Sequence, residues 1–201
     1  SGAFLIDTNQ QYRLVALDTE NKVSSLTESE KNYWIGTNSG VLLVDKLDLD
    51  RKRKLLQGVK VFDLLNDALT GIWLATENSL FHYPIQSISI ERIKYGQLKF
   101  LTAGETPLKL LNIEDSNQYW LITNKSVFKL NFGTVPSAKL ILTANINDVD
   151  MANGALWLAT ENGLMYLDTK GPEPSQILNY EVCILLFCEK GSIKKLIDYV
   201  Q

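Results

Sequence analysis

The sequence predicts an all-β chain of β-propeller architecture, built from repeated four-stranded blades. Three observations carry the prediction. Four tryptophans each open the same short phrase: Trp34-Ile-Gly-Thr37, Trp73-Leu-Ala-Thr76, Trp120-Leu-Ile-Thr123 and Trp157-Leu-Ala-Thr160. They stand 39, 47 and 37 residues apart, a blade-sized period. Each phrase is followed by a polar pair and a second apolar run, and preceded by another apolar stretch, so every copy holds several short strands.

The elements of one copy follow in order, with Trp counted as zero. An upstream strand is marked by Val23 and Leu26, Phe62 and Leu65, and Ile146 and Val149, which lie 11 and 8 residues before their tryptophans. Leu108 and Leu111 mark it in the third copy, offset by one. The polar residues Ser24, Ser25, Asp63, Asn112, Asn147 and Asp148 interrupt this strand. As the inner strand of a propeller it would turn some of them toward the central channel.

The Trp strand carries Ile35, Leu74, Leu121 or Leu158 at +1 and the mostly small Gly36, Ala75, Ile122 or Ala159 at +2, with Thr always at +3. A strand apolar on both faces is buried on both faces. Stacked blades meet that need because each sheet lies between its neighbours.

The polar pairs Asn38-Ser39, Glu77-Asn78, Asn124-Lys125 and Glu161-Asn162, followed by Gly40, Ser79, Ser126 or Gly163, predict a tight turn. The next strand spans 41–44, 80–83, 127–130 and 164–167; its β-branched and aromatic residues suit a pleated sheet. Position +9 (Leu43, His82, Lys129, Tyr166) reads as its wetter side, with +8 and +10 facing a neighbouring blade. Outer strands are expected near 52–56, 88–94 and 139–142.

The ends suggest how the repeat closes. Gly2-Ala-Phe-Leu-Ile-Asp7 matches Gly40-Val-Leu-Leu-Val-Asp45 in register, so the sequence starts in mid-blade. Blade-like units are expected at 19–58, 59–104, 105–144 and 145–180, in one domain, with 1–18 and 181–201 forming a split closing blade and five blades in all. The tail has a second reading. Ile193, Leu196, Ile197 and Val200 have helical spacing behind a candidate N-cap at Ser192.

Bulk properties exclude several classes. At 201 residues, with 45% hydrophobic and 21% charged, the chain buries an ordinary globular core. A net charge of −3 gives no global attraction to nucleic acid or anionic membranes. The longest apolar run, 182–188, is 7 residues, against the roughly 20 that span a bilayer. No signal peptide is visible, and no membrane insertion is expected. Cys183 and Cys188 read as buried free thiols.

No catalytic or metal signature emerges. His82 is the single histidine and reads as structural; without a second ligand cluster or a nucleophile partner it supports neither a metal site nor a triad. The run Arg51-Lys-Arg-Lys54 reads as charge protecting a sheet edge, with docking of an acidic partner as the alternative. The tryptophans read as blade packing rather than sugar platforms. If a ligand binds, the candidates are the inner-strand residues Asp63, Asn112, Asn147 and Asp148 and the turn residues Glu77 and Glu161, converging at a channel mouth. Turn formation is the competing explanation for the last two.

The stretch Trp157-Leu-Ala-Thr-Glu-Asn-Gly-Leu-Met-Tyr-Leu-Asp168 resembles the two-component-regulator propeller repeat, roughly W-I-G-T-x-x-G-L-x-x-Y-D. Residues 34–45 match well, 73–83 fairly and 120–131 more loosely. The resemblance implies a periplasmic or extracytoplasmic sensing region of a hybrid histidine kinase, many of which respond to glycan fragments. The expectation is thus a non-catalytic recognition module without cofactor, taking a small carbohydrate or other small ligand. The alternative is a cytoplasmic protein–protein interaction scaffold leading into a helical segment.

Overall fold

The computed structural model describes residues 3–6, 12–15, 21–84, 93–97, 99–113, 118–131 and 137–169. Both readings of the 181–201 tail, and both cysteines, lie outside these residues. The fold is all-β: seventeen strands among the described residues, all antiparallel, in five sheets. The chain divides into two compact units, Ser1–Lys99 and Phe100–Gln201.

In the first unit, β1 (Ala3–Ile6) and β2 (Tyr12–Val15) form a hairpin. Next, β3 (Val23–Glu28), β4 (Asn32–Thr37), β5 (Gly40–Asp45) and β6 (Lys52–Leu55) make a four-stranded meander. A second meander follows from β7 (Val61–Asp67), β8 (Gly71–Thr76), β9 (Ser79–Pro84) and β10 (Ile93–Gln97). The second unit repeats the plan with β11 (Pro107–Ile113), β12 (Gln118–Thr123), β13 (Ser126–Asn131) and β14 (Ser137–Thr143). Its other sheet has β15 (Ile146–Ala152), β16 (Ala155–Thr160) and β17 (Gly163–Asp168). Strands that neighbour in sequence neighbour in the sheet, which is the topology of a propeller blade.

Each meander buries both faces for a reason visible in its register. Trp34 pairs with Leu43 and Gly36 with Val41, so the indole, the small +2 residue, +7 and +9 share one face. The other face carries −1, +1, +8 and +10. In the first unit, Trp34, Val41 and Leu43 of one sheet pack on Ile72, Leu74, Phe81 and Tyr83 of the next. In the second unit, Trp120, Ile122 and Val127 pack likewise on Leu156, Leu158 and Leu167. The small +2 residue answers to this stacking. A Cβ on Gly36 would sit 3.0 Å from Val61 Cγ1, on the first strand of the following sheet.

Two expectations need correction. Position +9 is not a wetter side: Leu43 and His82 are buried, Lys129 and Tyr166 half-buried, and all four lie directly across from an indole. The first-strand registers also differ from the sequence alignment. Residues facing Thr+3 are Val23, Val61, Pro107 and Ile146, so Val61 and Leu64 replace Phe62 and Leu65, and Pro107 and Leu110 replace Leu108 and Leu111. The loops joining first and second strands vary in length, which shifts any count made back from Trp. The outer strands β6 and β14 fall where expected; β10 overlaps its expected span at residues 93–94.

Three of the four tryptophans are buried: Trp34, Trp73 and Trp120. Trp157 is half-buried, in the sheet with three strands among the described residues.

Candidate functional site

The end of each sheet where the Trp strand turns back gathers the polar residues singled out by sequence. Its anchor is the invariant threonine. Thr37, Thr76, Thr123 and Thr160 are all buried; the hydroxyls of Thr37, Thr76 and Thr160 donate to the carbonyl three residues on, at 2.8–2.9 Å, and Thr123 Oγ1 lies 3.1 Å from the equivalent carbonyl. Each also accepts from a backbone amide of the turn. The hydroxyl thus satisfies two backbone groups that the two-residue loop leaves without ladder partners.

The +4 residue then ties the turn to the segment entering the sheet. Asn38 Oδ1 accepts from the Lys22 amide at 3.1 Å, and Asn124 Oδ1 from the Thr106 amide at 2.8 Å. Glu161 Oε2 accepts from Asn145 Nδ2 at 2.8 Å. Backbone bonds from Asn38, Asn124 and Glu161 to residues 22, 106 and 145 complete the clamp. Glu77 occupies the same position in β8–β9 and is exposed.

Every first strand carries a register shift at the same place, next to the residue facing Thr+3. The bulge re-aims the side chains around it. Ser24, Phe62, Leu108 and Asn147 are the extra residues; Ser25, Asp63, Lys109 and Asp148 follow them, opposite the +2 residue. In the first unit this position links adjacent sheets: Ser25 Oγ donates to Asp63 Oδ1 at 2.7 Å and accepts from the Leu64 amide at 3.1 Å.

The candidates therefore separate. Asp63 is buried at 3% exposure and braces two sheets. Asn112 is half-buried further along β11, facing Tyr119, and is not equivalent to the others. Asn147 is exposed, Asp148 half-buried with its carboxylate capping the Val149 amide, and Glu161 exposed. Asn145, Asn147, Asp148 and Glu161 come together at the turn end of one sheet in the second unit.

Two buried ionisable groups were missed or misread. Glu105, at 5% exposure, lies just before β11. Its Oε1 accepts from Thr123 Oγ1 at 2.6 Å; its Oε2 accepts from the Thr102 amide and hydroxyl, both at 2.9 Å. Burial raises its pKa, but the hydrogen bonds from Thr123, Thr102 and Ser126 outweigh burial and hold it below the ordinary 4.5. The sequence signal, a carboxylate 18 residues before an invariant threonine, has no counterpart in the other copies.

His82 stacks on Trp73, with ring centroids 4.1 Å apart and planes 20° apart. Its Nε2 lies 3.0 Å from the Thr70 carbonyl, so Nε2 carries the proton. Burial lowers its pKa below 6.5, against the raising effects of the Thr70 bond and the Asp67 charge. His82, expected on the wetter side of its strand, is a buried, neutral packing residue, structural as expected. Among the described residues no group of three His, Cys, Asp or Glu is placed to hold a metal ion, and no helix is long and apolar enough to cross a membrane.

No family model and no curated protein sequence matches the chain. Solved structures do. The extracellular domain of BT4673 from B. thetaiotaomicron, a proposed one-component system, is similar at TM-score 0.65 and 17% identity, over 87% of this chain and 24% of that one. The extracellular domain of BT3049 from the same organism, a proposed hybrid two-component system, is similar at TM-score 0.59 and 15% identity, over 83% and 23%. A chain of the mitotic checkpoint complex is similar at TM-score 0.66 and 14% identity, over 89% and 59%. The chain spans about a quarter of the length of the two bacterial domains. At these identities the likeness is one of fold.

Proposed function

We propose that the chain is a non-catalytic recognition module, part of an extracytoplasmic sensor, taking a small polar ligand such as a carbohydrate at the turn end of its sheets. One observation carries the reading. The exposed amide of Asn147 and the half-buried Asp148, at the bulge of β15, stand by the turn that carries the exposed Glu161, whose backbone is clamped by Thr160 and by the bonds between residues 145 and 161. Convergent polar groups on a rigid frame bind hydroxyl-rich ligands at low ordering cost. The fold likeness to the extracellular domains of a proposed one-component and a proposed hybrid two-component system supports the sensor setting. Asp63 is read as a brace between two sheets because it is buried and bonded to Ser25, and Asn112 is left out because it faces Tyr119 further along β11.

The test is a glycan array followed by calorimetric titration of the best oligosaccharide. Asp148→Ala and Asn147→Ala are each expected to weaken binding about tenfold, the loss of one or two hydrogen bonds. Unchanged affinity in both variants overturns the site.

A second reading, protein–protein assembly, is favoured by a different observation. Leu47 and Leu69 are 99% and 83% exposed, and each tips a turn whose amide is held by an aspartate: Leu47 N donates to Asp45 Oδ1 at 2.8 Å and Leu69 N to Asp67 Oδ1 at 2.9 Å. Both lie at the end of their sheets away from the Thr turns. An apolar partner surface would give these two leucines the cover they lack. Loss of partner capture by the Leu47→Ser, Leu69→Ser double variant, with glycan binding absent throughout, would favour this reading over the first.

A further inference from the structure

One titratable group is built into the second unit without serving the recognition reading. Glu105 lies in the loop 100–106, which enters β11. That loop is fastened to the β12–β13 turn by side chains from both sides. Asn124 Nδ2 donates to the Gly104 carbonyl at 3.2 Å, and Lys125 Nζ to the Ala103 carbonyl at 2.9 Å. The Thr106 amide donates to Asn124 Oδ1 at 2.8 Å. The Asn124 amide also donates to the Thr106 carbonyl at 3.0 Å, and Phe100 packs on Phe128 with ring centroids 4.8 Å apart. The Glu105 carboxylate adds the bond to Thr123, which is fully buried, and ties Thr102 within the loop.

We propose that Glu105 is an acid-operated latch: as a carboxylate it tightens the loop 100–106 against the β12–β13 turn, and on taking up a proton it loosens the loop while the sheets stay folded. The argument is one of donors and acceptors. Every group facing the carboxylate in these bonds is a donor. The Thr102 amide has a fixed hydrogen and cannot turn away, so a proton on Oε2 strips that bond of its charge assistance, and of the two Thr102 groups only the hydroxyl can accept the new hydrogen. A proton on Oε1 would have to be accepted by Thr123 Oγ1. That oxygen already receives the Lys125 and Ser126 amides, at 3.2 and 2.8 Å, and its own hydrogen has an alternative acceptor in the Ser126 carbonyl at 3.1 Å. Neither site accommodates the neutral acid without loss. In the other three copies the equivalent threonine bonds only within its own turn in the bonds described, so the device belongs to one blade.

The charged groups on the elements around Glu105 are Lys99 just before the loop, Lys109 on β11, Lys125 on the turn and Lys129 on β13, across from Trp120. Lys125 directs its ammonium at the Ala103 carbonyl. The forces that set the ionisation of Glu105 are burial and hydrogen bonds from hydroxyls and amides. Its release is therefore expected to be only weakly sensitive to salt, unlike that of an exposed ion pair.

Amide exchange and chemical shifts followed by NMR on the whole chain, from about pH 7 to about pH 3, test the latch across the carboxylate range. The Thr102 and Thr106 amides are expected to lose protection together, about tenfold relative to amides in β12 and β16, while those strands stay protected. Glu105→Gln is expected to give the open loop at neutral pH, with no further change on acidification. Thr102→Val, which removes one donor but keeps the carboxylate, is expected to move the midpoint upward. The proposal is overturned if the loop opens only when β12 and β16 unfold, or if Glu105→Gln folds with the loop as protected as in the natural chain. An unmoved midpoint in Thr102→Val overturns it as well, and decides the matter if Glu105→Gln does not fold.

Discussion

Trp73 and Trp157 occupy the same place in the repeat and differ in what covers them. Trp73 is 3% exposed, stacked on His82, with its Nε1 donating to Thr70 Oγ1 at 3.1 Å. Trp157 meets Tyr166 edge-on at 5.1 Å and is half-buried. Truncating Trp73 to Ala should cost about 3–5 kcal/mol in urea unfolding, and the same change at Trp157 clearly less. Equal costs would contradict the burial difference. Sequence conveyed that the four indoles pack. It did not convey how much of each is covered, because coverage depends on the neighbouring strands rather than on the motif. Trp120 shows the same limit: its Nε1 is buried without a hydrogen-bond partner among the described residues, where Trp34 and Trp73 donate to hydroxyls of Ser29 and Thr70.

The hairpin is the element the sequence describes best, since its Thr, its polar pair and its Gly or Ser each answer to a local bond. Gly40 needs more than the turn. Its φ is +134°, and a Cβ there would lie 2.6 Å from the Leu55 carbonyl and 2.9 Å from that of Leu56. Gly40→Ala should cost about 3 kcal/mol and loosen β6 from β5, read as lost amide protection. Gly58→Ala, where φ is +78° but no atom lies within 4 Å, should cost about 1 kcal/mol, the left-handed strain alone. Of the basic run, Lys52, Arg53 and Lys54 are exposed on the outer strand β6. The first strands were less legible. Their bulges and variable hairpins change register by one residue, and nothing local in the chain marks where. For the same reason Asp63 read as a channel residue, although the bulge turns it under Ser25 of the preceding sheet.

At the scale of the whole molecule, two depressed pKa values act in the same direction. The folded chain holds His82 neutral, while the unfolded chain takes up a proton near 6.5. Stability from His82 is therefore complete above that pH and falls as the pH drops from there toward the folded value. Glu105 adds a second decline below 4.5, as its carboxylate is protonated. A urea-midpoint profile should fall in two steps on acidification; His82→Phe should remove the upper one. A profile flat from pH 7 to pH 5 would contradict a buried neutral imidazole.

The sheets are unlike on their two sides, indole and small residue on one, tyrosine or leucine on the other, and the same unlike pair meets in both units. Such a joint has a polarity, as a stack of nested cups does. A duplicated or excised copy would still set an indole face against a tyrosine or leucine face at the seam. Gain or loss of a whole repeat therefore leaves each joint unchanged in kind.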